Sequence, residues 1–378
     1  MDFDFNEEQK LFQAAVRDFA TKEIEPVVEQ AEKDETCPRF IFTELGKLGF
    51  LCPAYPLEYG GGELGKIGEC IMAEEISRVC SGINTSVAVQ AGLSTSIIMN
   101  HGTEEQKQKF LIPACKGERI ACFGLTEADA GSDVAAIKTT ARRDGDHYIV
   151  NGSKIYMTNG EICDFVTLGV KTDPSLGSKG ISILILERDT PGFTRNKMHK
   201  VGSHSSATAE LAFEDCRVSA ANLIGEEGRG IKYIFECLDG ARIVHSAGSV
   251  GLAQASYEAA LEYAKTRTQF GQPIGKFQAI AFKLARMATE IESLRWLLYH
   301  AAWLFDKGLP MGKEAAMTKL HSSDVAIRVA EESMRIHAGA AYLAESKVQR
   351  LFRDSILRHT TEGTTEIQQI VISRLLGL

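Results

Sequence analysis

One carboxylate near the C-terminus could serve either structure or catalysis. Glu362 lies within residues 358–369 (RHTTEGTTEIQQ), where four threonines and a glycine interrupt two helical runs. Residues 365–368 (TEIQ) fit a capping box, with an acidic residue in the first turn to suit the helix dipole. A carboxylate held on a rigid turn can instead accept a proton. Taken alone, the stretch favours the helix start, because capping boxes far outnumber catalytic carboxylates.

Other motifs that carry chemistry are weak or missing from the sequence. Residues 60–65 (GGGELG) match the dinucleotide fingerprint G-x-G-x-x-G, but the preceding AYPLEY does not make a buried parallel strand. The sequence contains no G-x-x-x-x-G-K-[ST], H-E-x-x-H or G-x-S-x-G, and its nine histidines follow no metal-ligand spacing. A kinase, a zinc hydrolase and an α/β-hydrolase are therefore poorly supported, and no metal site is predicted.

The composition narrows the class of protein further. The chain has 378 residues, so two or three domains are expected, and its net charge of −8 argues against nucleic-acid binding. No run of about 18 apolar residues exists to span a membrane. The N-terminal MDFDFNEEQK is acidic where a secretory signal would be basic, which predicts a cytoplasmic protein with nine reduced, mostly buried cysteines.

The periodicity of apolar residues divides the chain into three parts. It is helical up to about residue 117, and Thr103 to Gln106 forms a capping box within that part. From 118 to 228, β-branched residues alternate, and Asp144-Gly145 predicts a hairpin between two strands. Antiparallel β structure, such as a small barrel, is expected there. Helical periodicity returns from 229 to the end.

Five segments, in order, resemble the motifs of the acyl-CoA dehydrogenase family, closest to its short-chain, butyryl-CoA-dehydrogenase-like branch. They are residues 125–134 (LTEADAGSDV), 154–160 (KIYMTNG), 267–274 (RTQFGQPI) with Phe277-Gln278, Gly339 with Tyr342, and 362–368 (EGTTEIQ). The resemblance spans essentially the whole chain. It implies an α+β, mainly α fold, with an N-terminal helical domain (1–117), a middle antiparallel β-barrel domain (118–228) and a C-terminal four-helix bundle (229–378).

The resemblance also implies a reaction. An FAD-dependent enzyme of this kind introduces an α,β double bond into an acyl-CoA. Glu362 would take the α proton, and flavin N5 would take the β hydride, since side chains cannot accept hydride. The electrons would pass to electron-transferring flavoprotein. The backbone N–H of Glu362 and a ribityl hydroxyl of FAD would polarise the thioester carbonyl.

The site residues carried over by this resemblance fall into four groups. Those around the flavin ring are Phe123, Leu125, Thr126, Gly131, Ser132, Tyr156, Met157 and Thr158. A second group would bind the pyrophosphate and adenine of FAD from a neighbouring subunit of a homotetramer: Arg267, Phe270 and Gln278. The glycine-rich turn adds Arg335, Ile336, His337, Ala338 and Gly339. Thr364, Thr365 and Glu366 complete the flavin site. Ser132, Asp239, Arg242 and Gly363 would bind the acyl-CoA.

Some positions depart from the family pattern or leave alternatives open. Some members of the family carry their catalytic base at the position of Ala241, which cannot accept a proton, and this favours Glu362 as the base. Arg335 and Ala338 replace the usual glutamine and glycine of the glycine-rich turn. His245 is interpreted as a satisfied core histidine. Residues 82–101, expected to line the acyl pocket, contain no Lys or Arg, which predicts a neutral short acyl group, branched and alicyclic chains included. The alternatives are a relative acting as an oxidase or on carrier-bound acyl groups, and a non-catalytic scaffold.

Overall fold

Helices form the first part of the chain in the computed structural model, which describes residues 4–378. The first three residues of the predicted N-terminal domain lie outside the described part. The helices are α1 (Glu7–Phe19), α2 (Val28–Asp34), α3 (Arg39–Lys47), α4 (Gly65–Val79), α5 (Ser81–Ala88), α6 (Thr95–His101), α7 (Glu104–Gln106) and α8 (Ile112–Cys115). π-helical turns at Ala20–Ile24, Val89–Ser94 and Lys107–Leu111 continue several of them.

Local sequence signals explain where several of these helices begin. The predicted capping box is confirmed at α7, where Thr103 and Gln106 exchange side-chain and backbone hydrogen bonds. The GGGELG segment follows a 3₁₀ turn at Leu57–Tyr59 and leads into α4 without a preceding strand. A Cβ on Gly61 would lie 2.1 Å from the carbonyl oxygen of Tyr55, so this segment is a close-packed turn rather than a dinucleotide loop.

An eight-stranded sheet follows. Its strands are β1 (Ala121–Gly124), β2 (Thr140–Asp144), β3 (His147–Thr158), β4 (Phe165–Lys171), β5 (Ile181–Glu187), β6 (Phe193–Lys197), β7 (Thr208–Ser219) and β8 (Leu223–Ile224). They pair in the order β6-β7-β3-β2-β4-β5-β8, with β1 beside β4. The predicted hairpin is confirmed: β2 and β3 are antiparallel, with Asp144 opposite His147 and Gly145 at a φ of 63°.

The expectation of a wholly antiparallel sheet needs correction. The pairs β1/β4 and β2/β4 are parallel, and the others in this sheet are antiparallel. The β2–β3 hairpin separates β1 from β4 in sequence, so a long crossover rather than a tight turn joins them, which permits parallel pairing. Alternating apolar residues reveal a strand but not the direction of its neighbour.

Five helices complete the chain. They are α9 (Gly230–Thr266), α10 (Gln278–Asp306), α11 (Gly312–His337), α12 (Lys347–Ile356) and α13 (Thr365–Leu375), with a small hairpin, β9 (Thr268–Gln269) and β10 (Gln272–Pro273), between α9 and α10. The 37-residue α9 is about 55 Å long and packs against α4, α10 and α11. It therefore links the N-terminal helices to the C-terminal bundle.

The three-part architecture predicted from the sequence, helical then β then helical, is confirmed. All nine cysteines are free and buried, as expected. Among residues 4–378, none of the helices has the length and apolar character needed to cross a membrane. The exact boundaries after residues 117 and 228 stay predictions.

Candidate active site

Glu362 lies on a strained turn between a 3₁₀ turn at Leu357–His359 and α13. Its φ is +56°, and Gly363 follows with a φ of +88°. A non-glycine residue in the left-handed region costs of order 1–3 kcal/mol and persists only where its surroundings hold it. Gln368 supplies part of that restraint, because its Nε2 donates to the carbonyl oxygens of Glu362 and Gly363, both at 3.1 Å.

The start of α13 differs from the prediction by one residue. Thr364, not Thr365, is the N-cap, and its Oγ1 accepts a hydrogen bond from the backbone N–H of Ile367 at 3.4 Å. The predicted capping box needed the Gln368 side chain at the cap, but that side chain reaches back to the turn. The same short segment therefore caps the helix and fixes the backbone of Glu362.

Glu362 lines a partly open cavity. The cavity is lined by Leu357, Arg358, Thr361 and Glu362, by Ala241, Val244 and His245 of α9, by Thr158 of β3, and by Asn84, Thr85, Ala88, Val89, Gly92 and Leu93. Burial raises the pKa of Glu362 to about 7, while the cations Arg242 and Lys319 oppose the rise. A carboxyl with a pKa near neutrality suits a general base.

The backbone of Glu362 presents a free donor to the cavity region. Its carbonyl oxygen accepts from Gln368 and, at 3.4 Å, from Nε of Arg242, whose guanidinium also pairs with Asp239. Its own N–H makes no hydrogen bond of standard geometry within the described part of the chain. An unpaired N–H is a donor of the kind that oxyanion holes use, and here it belongs to the same residue as the candidate base.

A bulge in β3 forms the side of the site opposite α13. The β3–β7 register shifts between Lys154 and Met157, and Tyr156 adopts a φ of +66° with 63% of its surface exposed. The bulge turns the Tyr156 ring outward while Met157 stays in the core and Thr158 lines the cavity. An exposed aromatic ring beside a cavity polar group suits a planar, stacked ligand.

The loop formed by residues 125–134 is bound to this bulge through buried polar contacts. Ile155 N–H donates to the Thr126 carbonyl at 2.9 Å. The fully buried Lys154 donates to the Leu125 carbonyl at 2.9 Å and to Glu127 at 2.8 Å. Burial lowers the pKa of Lys154 to about 8, with Glu127 opposing the shift. This ion pair was not predicted from the sequence, in which a lysine within a β-branched strand was the available signal.

The remaining residues of the loop and of β1 differ in exposure. Leu125 is buried, Phe123 and Thr126 are half-buried, and Gly131 and Ser132 are exposed. The loop thus has an anchored base and an accessible tip, which is compatible with the predicted contacts of Ser132.

A second group of predicted cofactor residues lies far from the cavity. Arg267, Phe270 and Gln278 are exposed at the hairpin that follows α9, with Phe270 93% exposed. α9 ends at Thr266, 24 residues after Arg242 and about 36 Å from it along the helix axis, and Arg267 follows directly. Within one copy of the chain, these residues therefore do not contact the part of a ligand that binds beside Glu362.

The glycine-rich turn presents a mixture of accessible and core residues. Arg335 is exposed and pairs with Glu331 at 2.5 Å, and Ala338 (φ +50°) and Gly339 are exposed. The Ile336 side chain is buried, and His337 stacks on Tyr263 with its Nδ1 bonded to the carbonyl of Ser333. The side chains of these two residues therefore pack in the protein interior.

Three predicted residues near α13 also differ in exposure. Thr364 and Thr365 are half-buried at the helix start, whereas Glu366 is exposed. Hydrogen bonds from its own backbone N–H and from Thr364 lower the pKa of Glu366, so it carries a charge there.

The cavity contains a cation that residues 82–101 do not supply. Residues from 84 to 93 do line it without Lys or Arg, but Arg358 enters from the C-terminal segment. The interpretation of His245 as a satisfied core histidine fails. Its Nε2 bonds to Thr361 Oγ1 at 2.7 Å, yet its Nδ1 has no partner among the described residues. The position of Arg358 and the surroundings of His245 both depend on residues distant in sequence, so no local sequence pattern indicates them.

Comparison with known proteins gives the same assignment along the entire chain. Models described as the N-terminal, middle and C-terminal domains of acyl-CoA dehydrogenase match residues 6–118, 122–216 and 228–377. The chain is 40% identical over 374 residues to a short-chain specific acyl-CoA dehydrogenase of Clostridium acetobutylicum, covering 99% of both proteins.

Two solved structures are equally similar in fold. Butyryl-CoA dehydrogenase of Megasphaera elsdenii superposes with a TM-score of 0.97 at 39% identity, covering 100% of each chain. A chain in a structure of the electron-transferring flavoprotein of Acidaminococcus fermentans superposes with a TM-score of 0.97 at 42% identity, covering 100% of this chain and 99% of that one.

Proposed function

Because the chain belongs to the acyl-CoA dehydrogenase family, whose members are oxidoreductases acting on CH–CH donors, we propose that it dehydrogenates a short-chain acyl-CoA with Glu362 as the base. The family is one of flavoproteins, and FAD is the cofactor we propose. The observation that carries the proposal is the Glu362 carboxyl, with a pKa near 7, lining one cavity together with Thr158 of the bulged strand.

Glu362 supplies the proton-abstracting group. The proton on the α-carbon of a thioester is weakly acidic, so its removal needs a base whose pKa approaches neutrality. Burial gives Glu362 that pKa, and Arg242 and Lys319 keep the ionised form accessible. Ala241, which lines the same cavity, has no titratable group and offers no competing base.

The backbone around Glu362 orients the thioester and stabilises the charge that develops. The unpaired N–H of Glu362 can donate to the thioester oxygen as enolate character grows. Gly363 keeps that approach open, and a Cβ there would already lie 2.7 Å from Nε2 of Gln368. We further propose that Asp239, Arg242 and Ser132 contact the CoA portion.

The residues present fit FAD on the open side of the cavity. The exposed ring of Tyr156, the accessible Gly131 and Ser132, and Thr158 at the cavity wall can hold a planar ring system. When bound, FAD accepts the hydride from the β-carbon, which no side chain can do. Lys154 and Glu127 hold the surrounding loop in place, and the apolar cavity walls exclude water from the enolate.

A second copy of the chain would complete the cofactor site. Arg267 follows the end of α9, which lies about 36 Å from the level of Arg242, and Phe270 and Gln278 come after it in the hairpin and at the start of α10. We therefore propose that a homotetramer brings these three residues to the FAD of a neighbouring subunit. Arg267 forms no ion pair among residues 4–378 and is free to bind a pyrophosphate. The accessible Arg335 would have to leave Glu331 to do the same.

Arg267→Gln is expected to raise the dissociation constant for FAD roughly 10- to 100-fold, since charge-assisted hydrogen bonds to phosphate are lost. Equilibrium dialysis of the purified protein measures this constant, and sedimentation reports the oligomeric state. Lys265→Gln removes an exposed charge from the same helix end and is the matched control. Equal FAD affinity in Arg267→Gln and the control would remove Arg267 from the cofactor site.

The rate of flavin reduction is expected to rise with pH. Only the ionised Glu362 accepts a proton, and its pKa is raised to about 7 by burial. Activity is therefore low near pH 5, increases through about pH 7 and levels off above about pH 8. Anaerobic rapid mixing with a saturating acyl-CoA across this range gives the profile. A rate that is flat over the whole interval would contradict an ionising base of this pKa.

The electron acceptor we propose is electron-transferring flavoprotein, because a chain of the same fold occurs in a structure of that protein. Dye-free turnover with purified electron-transferring flavoprotein tests this, and rapid reoxidation by oxygen instead would identify an oxidase. Faster reduction by carrier-protein thioesters than by CoA thioesters would identify the other enzymatic alternative. A cytoplasmic role in fatty acid metabolism is a further proposal, which cell fractionation and substrate profiling test.

A further inference from the structure

A buried cation, Arg358, borders the cavity about two turns of α9 away from Ala241. Ala241, Val244, His245 and Gly248 follow one another on one face of α9, and Gly248 lies about 10 Å along the axis from Ala241. Arg358 lines the cavity and is only 2% exposed. A Cβ on Gly248 would lie 3.2 Å from Nη1 of Arg358, which places the guanidinium at the level of Gly248.

This guanidinium lacks a matching anion. Its Nη2 donates to Ser81 Oγ at 2.5 Å, and its Nε has no partner among the described residues. No carboxylate within residues 4–378 lies within 4.0 Å of it. Burial lowers the pKa of Arg358 to about 10, so it stays cationic near neutral pH. A buried unpaired charge is costly unless a ligand compensates it.

The neighbouring charged groups do not provide that compensation. Asp354 is the carboxyl that acts on Arg358, but burial raises the pKa of Asp354 to about 7, which leaves it only partly ionised. Lys319 is a second cation, bonded to the Arg358 carbonyl, and its charge acts on Glu362. His245 is kept neutral, because burial lowers its pKa and Arg358 and Lys319 lower it further.

The surroundings of Arg358 leave polar groups available to a ligand. Asn84 Oδ1 and His245 Nδ1 have no partners within the described residues, and both residues line the cavity. The missing side chain of Gly248 lets Asn84 and Arg358 pack closely against α9, since a Cβ there would come within 2.6 Å of Asn84 Nδ2. An Asn84 amide that turns toward the cavity and a neutral His245 can each donate to an oxygen.

We propose that the acyl group carries a carboxylate at its far end, so that the substrate is the CoA monothioester of a short dicarboxylic acid, with Arg358 binding the distal carboxylate and Asn84 and His245 completing its hydrogen bonds. This inference rests on the proposed dehydrogenase function and specifies its substrate class. Dehydrogenation at the α and β carbons is unchanged, and the distal carboxylate takes no part in the bond changes. Its role is to fix how far the chain enters the pocket.

The test compares matched pairs of thioesters in the holoenzyme. Glutaryl-, adipyl- and pimelyl-CoA are each measured against the monocarboxylic thioester of the same carbon number, with flavin bleaching and kcat/KM as readouts. The expected result is a higher kcat/KM for at least one dicarboxylic member than for its neutral partner. In Arg358→Gln the ratio of the two constants should fall roughly 10- to 100-fold, which is the loss expected for a charge-assisted contact.

Three further variants separate an effect on recognition of the distal carboxylate from an effect on folding. Arg353→Gln removes an arginine from the same segment whose contacts, with Val201 and His204, lie outside the cavity, and it should leave the ratio within about twofold of wild type. In Glu362→Gln, calorimetric dissociation constants for adipyl- and hexanoyl-CoA report binding without turnover. If Arg358→Gln fails to fold, Gly248→Ala tests the same site, because its methyl group displaces Asn84 and Arg358 and should also lower the ratio.

Each outcome supports or overturns the inference. Bleaching by neutral thioesters with no dicarboxylic preference in rate or binding overturns the inference and leaves the dehydrogenase function standing. A preference that persists unchanged in both Arg358→Gln and Gly248→Ala also overturns it. If no thioester of either kind reduces the flavin, the proposed function fails and the inference fails with it.

Discussion

Glu362→Gln is expected to bind FAD normally and to be reduced by acyl-CoA at least ~100-fold more slowly than wild type. Glutamine matches glutamate in size but cannot accept the α proton, and a general base accounts for roughly 10²–10⁴ in rate. The turn should survive, because its restraints act on the backbone: Gln368 and Arg242 bind the carbonyl of residue 362, not its carboxylate. Anaerobic rapid mixing that follows flavin bleaching measures the effect.

The matched control is Glu345→Gln, which removes an exposed carboxylate from the same C-terminal part of the chain. It should bleach at the wild-type rate. The ratio of flavin to protein absorbance shows whether Glu362→Gln retains its cofactor. A variant that stays yellow and bleaches at an undiminished rate would remove Glu362 from the mechanism.

Lys154→Met is expected to destabilise the protein by about 3–5 kcal/mol and to release FAD, the largest stability effect we anticipate. Removing one partner of a buried ion pair leaves the other charge uncompensated. Lys154 is fully buried, and it joins Glu127 and the Leu125 carbonyl to the bulge that carries Tyr156 and Thr158. Urea unfolding and the flavin content of the purified variant measure the two effects.

Lys138→Met is the control for this prediction. Lys138 also pairs with an acidic residue of the loop, Asp129 at 2.9 Å, but both side chains are about three-quarters exposed, and exposed pairs contribute little. The double variant Glu127→Gln/Lys154→Met should recover part of the lost stability, since it leaves no unpaired charge. If Lys154→Met and Lys138→Met unfold at the same urea concentration, the buried pair does not hold the loop.

Local signals in the sequence were sufficient for much of the fold. The capping box at Thr103 and the Asp144-Gly145 hairpin depend on neighbouring residues, whose physical effect does not change with the rest of the chain. The order of helical and strand periodicity likewise gave the three-part layout. The motif around Glu362 identified the candidate base.

Features that depend on distant contacts could not be predicted in this way. Thr364 replaces Thr365 as N-cap because Gln368 is engaged by the turn before the helix. The parallel pairing of β1 with β4 arises from a crossover between distant strands. Arg358 binds Ser81, which is 277 residues away in sequence, so no reading of residues 82–101 alone could reveal a cation in the cavity.

The cofactor site shows a further limit of a single sequence. Its predicted residues separate into one group at the cavity and another at the far end of α9, because a helix of 37 residues keeps its ends apart. In the proposed homotetramer these residues would meet only between subunits, and a local sequence pattern carries no mark of such a contact. The exposed Arg267 and Phe270 resemble ordinary surface residues until a second subunit is considered.

Proton exchange at the α-carbon, with hydride transfer removed, isolates the role of Glu362 as the base. A thioester with sulfur in place of its β-carbon has no β hydride to lose, so exchange of its α protons in heavy water reports the base alone. Wild type should exchange these protons readily, and Glu362→Gln should do so at least ~100-fold more slowly. Equal exchange by the two proteins would show that another group takes the proton, and the account given for Glu362 would be wrong.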